Sequence, residues 1–303
     1  MASDVEEYLA MAARLAGEGD LGGALDAFTA ALERDPTNFA GLLGRGLLRR
    51  ELGDLEGALT DLDAALELND DHLTARTVRA LVLRELGDLE SAGIDFSAAV
   101  ALAPDDPDVL YHRAVFYQET GALPAALADL TRALELQADH LGALNSRGLA
   151  RAVLEDLPGA LADFNRSLTL APDQPRVLNN RGLARRSLGD LPGALDDFTR
   201  ALALEPARPD TLYNLGTTHV RAGEPLAAVA DFQRILTYWP DDPEVIYRIA
   251  WAYAHGGRCR EALEWLGAAL SLDPKLADNA DQDPAFDPCR EEIPAGNAGV
   301  TDD

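Results

Sequence analysis

The chain has 303 residues, 47% of them hydrophobic, and its 52 acidic and 26 basic residues give a formal net charge of −26. Such a charge argues against nucleic acid or an anionic membrane surface as a partner and is compatible with a basic protein. No segment approaches the roughly 18 consecutive apolar residues of a membrane helix, and the acidic N-terminus lacks the apolar segment of a secretory signal.

From its start, the chain repeats one pattern every 34 residues without insertion or deletion. Positions are numbered from 1 to 34 within each repeat. The pattern centres on an alanine at position 20, and a large apolar residue follows four residues later, at position 24. Self-similarity at a single period of this size is typical of a solenoid with one helix pair per repeat. The eight repeats span residues 5–38, 39–72, 73–106, 107–140, 141–174, 175–208, 209–242 and 243–276.

Each repeat is predicted to form two helices joined by a short turn. Apolar positions 20, 21, 24, 27 and 28 share one face of the second helix. Small residues at positions 8 and 20 allow the two backbones to approach closely. A glycine at position 15 ends the first helix in seven repeats, and an aspartate at position 16 can cap the second helix in most. We therefore expect an all-α protein with sixteen helices in eight antiparallel pairs.

The repeat pattern has a small residue at position 8, alanine at 20, an aromatic residue or leucine at 24, a small residue at 27 and proline at 32. This pattern resembles the tetratricopeptide repeat. The resemblance covers residues 5–276 and implies a right-handed superhelical α-solenoid, the α-α superhelix. It also implies a concave face that is lined by the first helices and binds proteins or peptides, without enzymatic activity. The chain lacks the Lys and Asn pattern by which some family members grip a C-terminal carboxylate in their first three repeats.

The resemblance assigns the binding face to positions 2, 5, 6, 9, 12 and 13 of each first helix. In repeats 4 to 8 these positions bring together rings, amides and guanidinium groups, which are typical of interface anchors and of donors to a peptide backbone. An empty groove lined by ordinary solenoid residues is the alternative. The candidate partner-binding residues are Tyr111, Asn145, Arg176, Asn179, Asn180, Arg186, Tyr213, Asn214, Arg221, Tyr247 and Trp251.

Positions 7 and 23 change together along the chain. Both are uncharged in the first and last repeats, and only the combination of Leu215 with Asp231 breaks the rule. Since neither charge is tolerable alone in a partly buried site, we predict structural ion pairs within each repeat. Pairing with the aspartate of the following repeat and an arginine ladder facing a ligand are the alternatives. The five pairs are Arg45 with Asp61, Arg79 with Asp95, Arg113 with Asp129, Arg147 with Asp163, and Arg181 with Asp197.

No residues are predicted to be catalytic, to bind a metal or to hold a cofactor. The five histidines never occur at i, i+4 spacing, and the glycines of a G-x-G-x-x-G sequence lie in the turn of repeat 1. Aspartates between repeats are interpreted as helix caps rather than a cation site. These aspartates are Asp105, Asp106, Asp108, Asp241 and Asp242.

Residues 277–303 break the period. We expect a short capping segment, in which Ala285, Phe286 and Ile293 cover the end of repeat 8, and then a disordered tail. Cys259 and Cys289 lack C-x-x-C spacing, so we expect no structural disulfide and a cytoplasmic location.

The sequence therefore favours a non-enzymatic scaffold or adaptor that binds a peptide segment or a partner helix in its groove. The alternative is a structural subunit that self-associates within a larger assembly, so a homo-oligomer is possible. Neither hypothesis requires a cofactor, nucleic acid or a membrane.

Overall fold

The computed structural model describes residues 2–290. Within this range all regular structure is helical and no strand occurs, which confirms the all-α class of the α-α superhelix type. The chain forms two compact units, residues 1–150 and residues 151–303, and each is described by itself.

In the first unit, helices pair in chain order, and the second helix of each pair packs on the first helix of the next. The helices are α1 (Ala2–Gly17), α2 (Leu21–Arg34), α3 (Phe39–Glu51), α4 (Leu55–Leu68), α5 (Leu73–Leu86), α6 (Leu89–Leu102), α7 (Pro107–Glu119) and α8 (Leu123–Leu136). Helix α9 (Leu141–Val153) begins in this unit and ends in the second.

The second unit continues the same alternation and then closes with short elements. Its helices are α10 (Leu157–Leu170), α11 (Pro175–Ser187), α12 (Leu191–Leu204), α13 (Pro209–Arg221), α14 (Pro225–Leu236), α15 (Pro243–His255) and α16 (Cys259–Leu272). A C-terminal segment follows, made of α17 (Leu276–Gln282), a 3-10 turn (Pro284–Phe286) and α18 (Asp287–Arg290).

The core follows the repeat positions that the sequence marks as apolar or small. The alanine at position 20 is fully buried in all eight repeats, and the large residue at position 24 is fully buried in repeats 2 to 7. A Cβ on Gly182, at position 8, would lie 2.7 Å from the ring of Phe198. In repeat 6 the absence of a Cβ at position 8 therefore leaves the space that the ring of Phe198 occupies.

The turns between paired helices depend on a left-handed residue at position 15. Seven repeats place a glycine there with φ between 66° and 86°, whereas repeat 5 places Glu155 there at φ 64°. The next residue caps the second helix in repeats 1, 2, 3, 5 and 6, where the aspartate accepts a hydrogen bond from a backbone amide three residues on. Asp106 and Asp242 cap α7 and α15 in a similar way. The capping interpretation of these two aspartates is thus confirmed.

The C-terminal segment covers the apolar end of repeat 8, and here the expectation for the cysteines is wrong. Cys259, the first residue of α16, and Cys289 in α18 form a disulfide, and both are buried. Spacing alone gave no sign of the bond, because the two cysteines are 30 positions apart and the chain between them includes the non-repetitive segment. Phe286 is buried as expected, whereas Ile293 and the predicted disordered tail lie outside the described residues. The expected cytoplasmic location loses the support it took from free thiols.

Candidate functional site

Four of the five expected arginine–aspartate contacts occur, each between the two helices of one repeat. In repeat 2, Arg45 donates from Nε and Nη2 to the two carboxylate oxygens of Asp61, at 2.8 and 2.7 Å. Such bidentate, charge-assisted geometry is the strong form of this interaction. The other three pairs have the same geometry: Arg79 with Asp95, Arg113 with Asp129, and Arg181 with Asp197. Arg45, Arg79 and Arg181 show no ion pair with the aspartate at position 23 of the following repeat among the described contacts.

Arg147 and Asp163 belong to different units, and their pairing stays a prediction. Within its own unit, Arg147 lies 3.5 Å from the hydroxyl of Thr131, at position 25 of the preceding repeat. Arg79 and Arg181 likewise donate to position 25 of the preceding repeat, to Asp63 and Asn165, each at 2.8 Å. Arg79 and Arg181 therefore link neighbouring repeats as well as the two helices of their own repeat.

A second cation at position 11 also contacts the aspartate at position 23, which the sequence analysis missed. In repeat 6, Arg185 donates to Asp197 at 2.8 Å and to the backbone oxygen of Gly193 at 3.1 Å. Repeats 2 and 5 repeat this arrangement with Arg49 and Arg151. In repeat 7 the residue at position 11 is His219, whose Nδ1 lies 2.7 Å from Asp231. This contact explains why Asp231 occurs without an arginine at position 7.

We call the residues at positions 2, 5, 6, 9, 12 and 13 of the first helices the first-helix face. In the first unit its arginines at position 12 are already paired. Arg50 contacts Glu85 at 2.7 Å, and Arg84 contacts Glu119 at 3.6 Å, each glutamate coming from the following repeat. The predicted residue Tyr111 packs its ring against His140, 5.0 Å away between centroids, and Asn145 is half-buried.

His140 occupies position 34 of repeat 4, as His72 does in repeat 2. Each accepts a hydrogen bond from a backbone amide three residues later. These two histidines therefore act as helix caps.

In the second unit, Asn179 and Asn214 form a pair rather than two open amides. Nδ2 of Asn214 donates to Oδ1 of Asn179 at 3.0 Å, and Asn179 is buried. Asn179 is therefore engaged in packing between α11 and α13, whereas Asn214 is half-buried and its binding role stays a prediction. Asn180 is half-buried and has no hydrogen-bond partner among the described residues, so its amide is the available one.

The predicted arginines on this part of the face have no carboxylate within ion-pair distance among residues 2–290. Arg186 donates to the hydroxyl of Thr217 at 2.8 Å, and burial together with nearby Arg221 lowers the pKa of its guanidinium. Arg176 and Arg221 are exposed. Arg176, Arg186 and Arg221 thus differ from the paired Arg50 and Arg84 of the first unit.

The C-terminal segment covers one of the predicted rings. Tyr247 is 4% exposed, packs against Phe286 and donates from its hydroxyl to Asp283 at 3.4 Å. Burial, with a smaller contribution from the Asp283 carboxylate, raises the pKa of Tyr247 to about 12. The assignment of Tyr247 to an open binding face is therefore wrong, whereas Trp251 is only half-buried.

Arg248, at position 6 of repeat 8, was missed although the family positions include it. Its guanidinium carbon lies 5.4 Å from the ring centroid of Tyr213 and 5.8 Å from those of Tyr247 and Trp251. Its Nε is buried and has no hydrogen-bond partner among the described residues, and no carboxylate pairs with it. A guanidinium held by three rings is oriented without being neutralised.

Other kinds of site find no support in the described part of the chain. No group of three or more potential metal-ligating side chains occurs among residues 2–290. No described helix is both long and apolar enough to cross a membrane.

Comparisons with known proteins agree on one family. A sequence model of the tetratricopeptide repeat matches residues 9–62, 43–107, 113–175 and 213–277, and a second model of the same description matches residues 146–213. No curated protein matches the chain.

Solved structures similar to the chain include a tetratricopeptide repeat protein from Parabacteroides merdae, with 20% identity and a TM-score of 0.62. The match covers 88% of this chain and 99% of that one. PilF of Pseudomonas aeruginosa has 19% identity and a TM-score of 0.62, over 70% of this chain and 96% of that one. YrrB, described as having an unusual peptide-binding site, has 24% identity and a TM-score of 0.51, over 62% and 97%. The helix pairs within each unit and the family matches together show that the chain belongs to the tetratricopeptide repeat family.

Proposed function

We propose that the protein is a non-enzymatic scaffold whose first-helix face in the second unit binds a peptide segment or a helix of a partner protein. The family as a whole serves protein–protein interaction, and the finer assignment to this face is ours. The proposal concerns α11, α13 and α15, which carry the amide and guanidinium groups described above.

One observation carries the proposal. On the first-helix face, the arginines at position 12 of repeats 2 and 3 are paired with glutamates, whereas Arg186, Arg221 and Arg248 have no carboxylate partner among residues 2–290. In a chain with twice as many acidic as basic residues, guanidinium groups that remain unpaired on one face are available to a ligand. Guanidinium and amide N–H groups donate to peptide carbonyl oxygens, and half-exposed aromatic rings provide contact area.

The test begins with affinity capture from the native lysate and mass spectrometry, followed by binding measurements on the purified partner. The variant is Asn180→Ala with Arg221→Ala, because Asn180 makes no hydrogen bond and Arg221 no ion pair among the described residues. Asn179 and Asn214 are unsuitable, since their removal disturbs the contact between α11 and α13. We expect the double variant to lose about 2–4 kcal/mol of binding free energy, the sum of one neutral and one charged hydrogen bond.

The matched control is Arg234→Ala, which removes one exposed arginine from second helix α14 of the same unit. Binding should remain unchanged in this variant. Equal affinity of the double variant and the wild type would move the site off this face. Light scattering at several protein concentrations would then test the self-associating alternative.

A further inference from the structure

Repeat 7 departs from the other repeats at the end of its second helix. Position 27 is Ile235, where the other seven repeats have a small residue, and positions 30 and 31 are Tyr238 and Trp239, where no other repeat has an aromatic residue. Helix α14 has 12 residues, whereas every other second helix has 14. Tyr238 and Trp239 are 48% and 46% exposed, respectively.

Two of these residues, Ile235 and Trp239, line a cavity of about 370 Å³ in the second unit. Ile235 and the rings of Tyr213 and Trp239 contribute apolar walls. The volume lies at the lower end of the ~300–1,000 Å³ range of pockets that hold small ligands. Carboxylates belong to the same lining, namely those of Asp210, Asp242 and Glu244.

The charges around the cavity leave a negative excess. Arg208 pairs with Asp210 at 2.8 Å and lowers the pKa of that carboxyl group, so Asp210 is ionised. Asp242 caps α15 by accepting from two backbone amides. Glu244 has no ion-pair partner among residues 2–290. Arg248, the other nearby cation, lies against the ring of Tyr213. The half-exposed ring that remains for a ligand is therefore that of Trp239.

We propose that this cavity binds the side chain of an arginine from a basic segment of the partner protein. A planar guanidinium stacks on an indole ring while its N–H groups donate to carboxylates, and indole is the strongest aromatic partner for a cation. The net charge of −26 favours a basic segment over an acidic one. This inference rests on the proposed function, because it takes the ligand to be a segment of a protein. Tyr213 belongs to both sites.

The experiment uses two short peptides as probes, acetyl-Gly-Gly-Arg-Gly-Gly-amide and the same peptide with the uncharged isostere citrulline. The full chain is labelled with 5-fluorotryptophan, and its three fluorine signals, from Trp239, Trp251 and Trp265, are assigned by single substitutions. We expect the arginine peptide to shift the Trp239 signal saturably while Trp265 stays unchanged. The citrulline peptide should not shift the Trp239 signal.

Two substitutions then test the recognition chemistry. Trp239→Ala should weaken binding of a fluorescein-labelled arginine peptide about three- to tenfold, measured by anisotropy. Glu244→Gln should weaken it about two- to fivefold, whereas Asp196→Asn, which removes an exposed charge elsewhere in the unit, should not.

An unmoved Trp239 signal overturns the proposal. Equal shifts with both peptides also overturn it, because the cavity would then accept an uncharged segment. Either result leaves the groove test with Asn180 and Arg221 standing, since neither residue lines the cavity.

Discussion

Replacing Asp197 by asparagine is the sharpest test of the ion pairs between helices. Asp197 is fully buried and accepts from Arg181 at 2.9 and 2.5 Å and from Arg185 at 2.8 Å. Asparagine keeps the shape but removes the charge, so the buried Arg181 loses its carboxylate partner, whereas Arg185 retains Asp190 at 3.7 Å. We expect a loss of about 3–5 kcal/mol in the free energy of unfolding.

Asp129→Asn provides a graded comparison, because Asp129 accepts from Arg113 alone. Arg113 also lies over the ring of Tyr117, 5.5 Å from its centroid, so its charge keeps a partner when the carboxylate is lost. The expected cost is about 1.5–3 kcal/mol. Asp196→Asn, next to Asp197 but exposed, is the control and should have little effect.

Urea unfolding followed by circular dichroism at 222 nm measures the overall loss. Because repeat proteins can unfold in parts, hydrogen exchange of peptides from α11 and α12 should locate it. The reasoning fails if Asp197→Asn costs no more than Asp196→Asn. It also fails if Asp129→Asn costs as much as Asp197→Asn, since the number of guanidinium partners would then be irrelevant.

Three further predictions concern single features. Replacing Cys259 and Cys289 by alanine should lower the free energy of unfolding by about 3–4 kcal/mol, the chain-entropy value for a separation of 30 residues. Wild-type protein that is unfolded without reductant should show no free thiol with Ellman's reagent. Glu155→Gly should raise stability by about 0.5–1 kcal/mol in urea unfolding, because it relieves a left-handed backbone conformation; a decrease would contradict this. Tyr247 should be the last tyrosine to ionise in a titration at 295 nm, and Tyr247→Phe should remove that phase. Since its pKa rises from about 10 to about 12, its stabilising contribution is complete below pH 10 and is lost as the pH approaches 12.

The sequence was most informative where positions change together. Arginine at position 7 and aspartate at position 23 occur in the same repeats, and the structure brings them into contact within each described repeat. The contact of position 11 with the aspartate at position 23 could also have been predicted from the sequence. Arginines at position 11 lie one helical turn after those at position 7, on the same side of the helix: Arg49 after Arg45, Arg151 after Arg147, and Arg185 after Arg181. His219 would then have accounted for Asp231.

Features outside the period could not be predicted in this way. Cys289 and Asp283 lie in a segment without repeats, so no pattern related them to Cys259 or Tyr247. The pairing of Asn179 with Asn214 joins positions 5 and 6 of neighbouring repeats, and repeat periodicity does not specify side-chain direction across an interface. Candidate binding residues inferred from position alone therefore included two that packing had already engaged, Asn179 and Tyr247.

The contact from position 7 to position 25 of the preceding repeat bears on how such a chain can change its length. Position 25 carries a side-chain oxygen in each of the first seven repeats: Thr29, Asp63, Ser97, Thr131, Asn165, Thr199 and Gln233. Only the last repeat has Gly267 there, and repeats 6 and 7 keep the oxygen although Leu215 and Ile249 follow them at position 7. Loss or duplication of an internal 34-residue unit would therefore still place each arginine at position 7 after a repeat with a side-chain oxygen at position 25. Recombination between repeats could thus alter their number and still offer an acceptor for the contact that Arg79, Arg147 and Arg181 make.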